Sequence, residues 1–243
     1  MAITAVLFDL DDTLFDHSAC TRAALADLRG RFDVLGRVPS ALLDAEHRRL
    51  LEALHLRVLA GQLTVDDARN ERFRQLLAFA GGTPDAASPI EVAAAYRAAY
   101  LAHWRPVDGA LELLAALHGR VSTGVVTNNV ASEQRQKLAA CGFDPLLDAV
   151  IISEEAGVAK PDPRIFTLAL DALRRAAGET VMIGDAWETD IVGARAAGIR
   201  PLWFNRLGAA SPDRRVTEIV SLVPVGVVLS LLFPGPYPLA PIP

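Results

Sequence analysis

Asp9, Asp11 and Asp12 stand in the run Phe8-Asp9-Leu10-Asp11-Asp12-Thr13-Leu14-Phe15-Asp16, directly behind a short apolar stretch. In extended chain, residues two apart lie on the same side, so Asp9 and Asp11 can share one site without sharing one role. An ionised carboxylate can attack as a nucleophile, while its neighbour, kept protonated by the like charge beside it, can donate a proton. The competing reading is an acidic loop at a strand end, in which an Asp or Thr caps the next helix. Polar groups recur downstream where apolar runs stop: Thr127 with Asn128, and Asp185.

The elements that would position these groups can be read from hydrophobic patterning. Ile3, Ala5, Val6, Leu7 and Phe8 form a nearly continuous apolar run, the pattern of a strand covered on both faces of a parallel sheet. From position 106 onward, strands predicted over 121–126, 149–152, 180–183 and 200–204 alternate with helices over 108–117, 131–140, 163–176 and 188–197. Asp162 is placed to cap the third of these helices and Pro163 to start it. The pattern is that of an α/β fold with a doubly wound parallel sheet. Asp9, Thr127 and Asp185 then all stand at carboxyl ends of strands, where open α/β sheets gather their ligands in one crevice.

Between 16 and 105 only the helical period is found. Ser40 is placed to cap a helix carrying Leu43, Leu50, Leu54 and Val58, and Thr64 with Asp67 forms a capping-box pattern ahead of Phe73, Leu76 and Leu77. The expected domains are therefore an α/β core over 1–15 and 106–210, an all-helical insertion over 16–105 positioned as a cap, and a tail over 211–243. Within the tail, the apolar stretch 216–233 is short for a membrane span and is broken by Pro224 and Gly226, so a terminal helix with an edge strand is expected. The ending PGPYPLAPIP is expected to be extended or disordered.

A net charge of -5, from 24 basic and 29 acidic residues without long runs of either sign, gives no reason to expect nucleic acid or a membrane surface as a partner. Only two of the basic residues are lysines, Lys137 and Lys160. Cys20 and Cys141 lack metal-ligand spacing, so reduced thiols and a cytoplasmic setting are expected.

FDLDDTLFD resembles the first motif, DxDxT, of the haloacid dehalogenase (HAD) superfamily. Thr127 in GVVTNN, Lys160 in AKPDPRIF, and Asp185 with Asp190 in GDAWETD resemble the second, third and fourth motifs, in the family's order. The resemblance covers about residues 3 to 205. It implies a phosphatase acting on a small phosphate ester, such as a nucleoside monophosphate or sugar phosphate, through an aspartyl-phosphate on Asp9. Asp11 would serve as acid and then base, and Thr127, Asn128 and Lys160 would hold the phosphoryl oxygens. Mg²⁺ would be bound by Asp9, the backbone carbonyl of Asp11, and Asp185, with Asp190 supporting the metal or orienting Lys160. The relatives that remain as alternatives are a 2-haloacid dehalogenase, which needs no second acid in the first motif, and a phosphomutase. A binding domain without activity is the alternative of another class. Within the insertion, His17, Arg22, His103 and Trp104 are candidates to meet substrate but carry no assigned role, and oligomeric state is left open.

Overall fold

The structure is a computed structural model and describes residues 2–59, 61–82 and 87–233. Its first strand, β1 (Ala5–Phe8), is fully buried along its length. A strand of that kind needs a partner on each edge and cover on each face. It pairs in parallel with β2 (Ser122–Thr127) on one side and β4 (Thr180–Gly184) on the other. β3 (Ala149–Ile152) extends one flank, and β5 (Arg200–Phe204) followed by β6 (Thr217–Ile219) extends the other. The order β3-β2-β1-β4-β5-β6 means that the chain winds outward from β1 in both directions. The carboxyl end of β1 is thus the point where strand order reverses, the position at which doubly wound sheets open a crevice.

Between β1 and β2 the chain runs through α1 (His17–Arg31), α2 (Asp33–Gly36), α3 (Ser40–Leu59), α4 (Val65–Phe79) and α5 (Pro89–Ala102), then α6 (Ala110–Leu117). The later helices are α7 (Ala131–Ala140), α8 (Ser153–Ala156), α9 (Pro163–Leu173), α10 (Gly193–Ala196) and α11 (Val225–Leu232). Two compact units result, Met1–Asp16 with Arg105–Pro243, and His17–Trp104.

In the α/β unit, α9 turns Ile165, Phe166, Ala169 and Leu173 towards Ala5, Leu7, Val126 and Met182 of the sheet. Each large side chain removed from water in this way contributes about 1.5–3 kcal/mol. Asp162 caps α9 by accepting from the Arg164 N–H, with Pro163 in the first turn, as the sequence predicts. The helix stops at Leu173, short of the predicted 176, because Arg174 takes a left-handed conformation with φ 54° and breaks the repeat. The predicted helix over 188–197 is divided into a π-helical turn, Trp187–Val192, and α10. The tail supplies the edge strand β6 and the helix α11, whose Val228, Leu229 and Leu232 are buried. Among the described residues no helix is long and apolar enough to cross a membrane. The ending PGPYPLAPIP lies outside the described residues.

The helical unit contains no strand among its described residues. Thr64 caps α4 by accepting from the Asp67 N–H. Ser40, expected as a cap, is instead the first residue of α3, and the Pro39 carbonyl receives the N–H groups of Leu42 and Leu43. Leu25, Leu28, Leu43, Leu50, Phe73, Leu76 and Tyr96 fill the unit's interior. His47 is fully buried among them, its ring centroid 5.1 Å from that of Tyr96 and 5.9 Å from that of Phe73. Among the described residues, neither of its ring nitrogens has a hydrogen-bond partner. Burial, and the nearby Arg72 and His17 charges, hold its pKa well below the ordinary value, so the ring is neutral.

Candidate active site

Five polar residues from distant parts of the sequence meet where β1, β2 and β4 end. Asp9 follows β1 directly, and its backbone N–H donates to the Ile183 carbonyl of β4 at 2.9 Å. Lys160 Nζ donates to Asp9 Oδ1 at 2.5 Å and to Asp190 Oδ1 at 2.7 Å. The lysine backbone is held in turn by Asn128, just past β2. The Asn128 side-chain Nδ2 donates to the Lys160 carbonyl at 2.9 Å, and its Oδ1 accepts from the Lys160 N–H at 2.8 Å. Asn128, expected to hold a phosphoryl oxygen, therefore has its side chain committed to the loop that carries the lysine.

Asp190 reaches Lys160 because the π-helical turn folds it back over the end of β4, where its Oδ2 accepts from the Ala186 N–H at 3.0 Å. A Cβ on Gly184 would collide with the Asp190 carboxyl, which is why glycine stands ahead of Asp185. Asp185 accepts from Thr13 Oγ1 at 3.1 Å, and its carbonyl accepts from Trp203 Nε1 at 2.9 Å.

Asp9, Asp185 and Asp190 each bring a carboxylate oxygen within 4.8 Å of the others. Confinement of that much negative charge shows in the acidities. Burial, reinforced by the charges of Asp190 and Asp11, pushes Asp9 up to about 7 against the lowering by Lys160. Burial likewise raises Asp185 well above the carboxylate range, with Asp9, Asp190 and Asp12 adding to it and the Thr13 bond opposing. For Lys160, burial alone would favour loss of the proton. The Asp190 and Asp9 charges outweigh it and raise the pKa, so the ammonium stays charged.

These donors fit a hard divalent cation. Asp9 Oδ2 and Asp185 Oδ2 accept no hydrogen bond among the described residues, and oxygen ligands from one or two carboxylates are what Mg²⁺ accepts. Both oxygens of Asp190 are taken by N–H donors, which fits a residue that orients Lys160 better than one that binds metal.

Asp11 and Thr127 are joined by two residues that the sequence reading did not select. Lys137 Nζ donates to Asp11 Oδ1 at 2.7 Å, and Gln134 Nε2 donates to Asp11 Oδ2 at 2.9 Å and to Thr127 Oγ1 at 2.7 Å. Gln134 and Lys137 are both buried in α7. The available signals were the rarity of lysine in this chain and the i,i+3 spacing that puts both side chains on one helix face. A second cluster lies at the points where the chain leaves and re-enters the α/β unit. Arg206, just past β5, donates to Asp12 Oδ1 at 2.6 Å and Asp16 Oδ1 at 2.5 Å, and Arg105 donates to Asp16 Oδ2 at 3.0 Å. Of the candidates from the insertion, His17 and His103 are engaged within their own unit: His17 Nδ1 with the Tyr100 hydroxyl at 2.6 Å, and His103 Nε2 with Asp27 at 2.8 Å.

Residues 3–198 match the family model of haloacid dehalogenase-like hydrolases. The chain is 33% identical over 225 residues to a ribulose-1,5-bisphosphate 5-phosphatase of Halopiger xanaduensis, covering 88% of this chain and 92% of that one. It is also 33% identical over 239 residues to a phosphoserine phosphatase of Thermus thermophilus, covering 88% and 95%. A crystal structure of the HAD-hydrolase YfnB from Bacillus subtilis bound to magnesium superposes with a TM-score of 0.73 at 26% identity, covering 96% of this chain and 99% of that one. The length of the family match and these likenesses, joined to a sheet that gathers the four motifs at one crevice, establish that the chain belongs to the haloacid dehalogenase-like hydrolases.

Proposed function

We propose that the chain is a Mg²⁺-dependent phosphatase that hydrolyses a small phosphate monoester through an aspartyl-phosphate on Asp9. The single observation that carries this reading is Lys160, buried and charged, bonded at once to Asp9 and Asp190 beside the carboxylate of Asp185. A buried cation fixed there can offset charge on an incoming phosphoryl group as it approaches the acid.

In the proposed sequence, an oxygen of Asp9 forms a bond to phosphorus while the bond from phosphorus to the ester oxygen breaks. Asp11, in its acid form, gives its proton to the departing alkoxide oxygen. It then takes a proton from the water that attacks the aspartyl-phosphate, releasing inorganic phosphate and restoring Asp9. Thr127 Oγ1, the backbone N–H of Asn128 and the ammonium of Lys160 hold the remaining phosphoryl oxygens. Asp9, the Asp11 carbonyl and Asp185 would bind the magnesium ion, which supplies charge neutralisation for the phosphoryl group.

The substrate class we infer is a phosphorylated small metabolite, a sugar phosphate or nucleoside monophosphate. It is supported by relatives that act on compounds of that size, and the helical insertion is assigned the choice among them. Cys20 and Cys141, both buried and forming no disulfide among the described residues, accord with a cytoplasmic setting. The test is turnover of 4-nitrophenyl phosphate with Mg²⁺. Asp9→Asn should abolish it, and near-normal Mg²⁺-dependent turnover by that variant would refute the reading. Chloride release from a 2-haloacid without metal would favour the dehalogenase instead.

A further inference from the structure

Gln134 and Lys137 form a chain of hydrogen bonds whose direction can be assigned from its donor-only end. An ammonium has three N–H groups and no acceptor. Those of Lys137 meet Asp11 Oδ1 at 2.7 Å, Gln134 Oε1 at 3.0 Å, and the face of Phe15, whose ring centroid lies 5.0 Å away. The Gln134 amide must therefore turn its oxygen to Lys137, which leaves its NH₂ as the group facing Asp11 and Thr127. Nε2 has two protons, one for Asp11 Oδ2 at 2.9 Å and one for Thr127 Oγ1 at 2.7 Å. With its oxygen accepting from Gln134, the Thr127 hydroxyl has its own proton to give elsewhere.

From this geometry we infer that Gln134 and Lys137 are positioning residues for the reaction: they orient the Thr127 hydroxyl as a donor to a phosphoryl oxygen and hold the Asp11 carboxyl where a leaving oxygen would depart. The inference rests on the phosphatase reading and goes beyond the four motifs that carry it. Both side chains are almost wholly inaccessible, 0% and 1% exposed, so water cannot take over their bonds. A buried lysine placed only for packing would be a poor choice, since an apolar residue of that volume fills the space without desolvating a charge. A structural account also gives no reason for one amide to bridge the two groups proposed to act on opposite ends of the same ester bond.

The experiment is steady-state turnover of 4-nitrophenyl phosphate with Mg²⁺ by the full chain. Gln134→Met keeps the side chain's length and removes both donors. It should lower kcat by about 10–100-fold, by analogy with the range found when hydrogen-bond partners that orient metal ligands are removed. Gln134→Glu should do the same, because a carboxylate accepts the Thr127 proton and turns that hydroxyl away from phosphate. The decisive readout is non-additivity in kcat. Thr127→Val should reduce turnover strongly in the native background yet by less than about two-fold when added to Gln134→Met, because the two act as one unit. A Gln134→Met kcat within about two-fold of the native value, or losses that multiply independently, would overturn the inference. If Gln134→Met fails to fold by thermal melting, Gln134→Glu alone and combined with Thr127→Val decides by the same criteria. Asp9→Asn run alongside separates the two claims. If it is inert while the Gln134 variants are unaffected, only this inference falls; if it remains active, the phosphatase reading falls with it.

Discussion

Each of the chain's two lysines ends on an aspartate of the loop behind β1, Lys160 on Asp9 and Lys137 on Asp11. A compact ammonium fits between buried carboxylates where the wider guanidinium fork of arginine would need more room. Removing such a cation strands the charges it served. Lys160→Met is accordingly expected to lose turnover and to lower stability by about 3–5 kcal/mol, read from denaturant melts at neutral pH; a variant as stable as the native chain would show the pair contributes nothing. Gly184 makes an independent prediction at the same scale. Ala at that position places a Cβ in the Asp190 carboxyl, so Asp190 must turn away from Lys160 or β4 must shift. Gly184→Ala should cost about 1–3 kcal/mol in thermal stability and most of the turnover. Unchanged activity would mean that Asp190 does not need its present position.

At the scale of elements, the points where the chain leaves β1 and returns towards α6 are tied to the loop after β5. Asp16 donates its N–H to the Arg105 carbonyl at 3.1 Å, and Arg206 bridges Asp12 and Asp16. Burial would raise the Asp16 pKa, but its bonds to Arg206 and Arg105 outweigh this and lower it. A carboxylate with a depressed folded-state pKa stabilises above its unfolded value, near 3.8, and loses that contribution as pH falls through the folded value. Arg206→Ala should therefore destabilise by about 1–3 kcal/mol at pH 7, and the difference from the native chain should shrink in denaturant melts below about pH 4. In the helical unit the sign is set by a buried neutral base. The pKa of His47 is depressed, so below its unfolded value of 6.5 the unfolded chain binds the extra proton and stability falls with pH. The slope from one such group reaches at most about 1.4 kcal/mol per pH unit. The native chain should thus lose more stability than His47→Leu between pH 7.5 and 5.5. Equal losses would mean that His47 gains a proton without cost.

For the molecule as a whole, the proposed magnesium site implies that crowding carboxylates at one crevice costs stability which cation binding would offset. Burial, with the neighbouring carboxylates adding to it, raises the pKa values of both Asp9 and Asp185. A ligand that binds only the folded chain stabilises it by about 2.7 kcal/mol at a hundredfold excess over its Kd. For a chain of this size that is on the order of 5–10 °C in Tm. Mg²⁺ should produce such a shift in the native protein and a much smaller one in Asp185→Asn, measured by thermal melting with and without chelator. An equal shift in both would place the ion elsewhere.

The sequence by itself determined the α/β architecture, because an apolar run such as β1 fits a strand covered on both faces, and because helix and strand periods alternate plainly after position 106. It also selected Asp9 and Asp185, which stand where apolar runs end, while Lys160 and Asp190 were selected by their resemblance to the family's third and fourth motifs. Boundaries were legible where a cap states them, as at Thr64 and Asp162, and less so where the stop is a backbone conformation, as at Arg174. Tertiary structure alone decided the rest. Gln134 and Lys137 read as an ordinary polar helix face until α7 is laid beside the end of β1, and Arg206 is merely a loop arginine until β5 brings it to Asp12 and Asp16. Local patterning reports which face of an element is apolar; contacts more than a hundred residues apart, such as Lys137 with Asp11 or Arg206 with Asp16, depend on strand order, which no local period encodes.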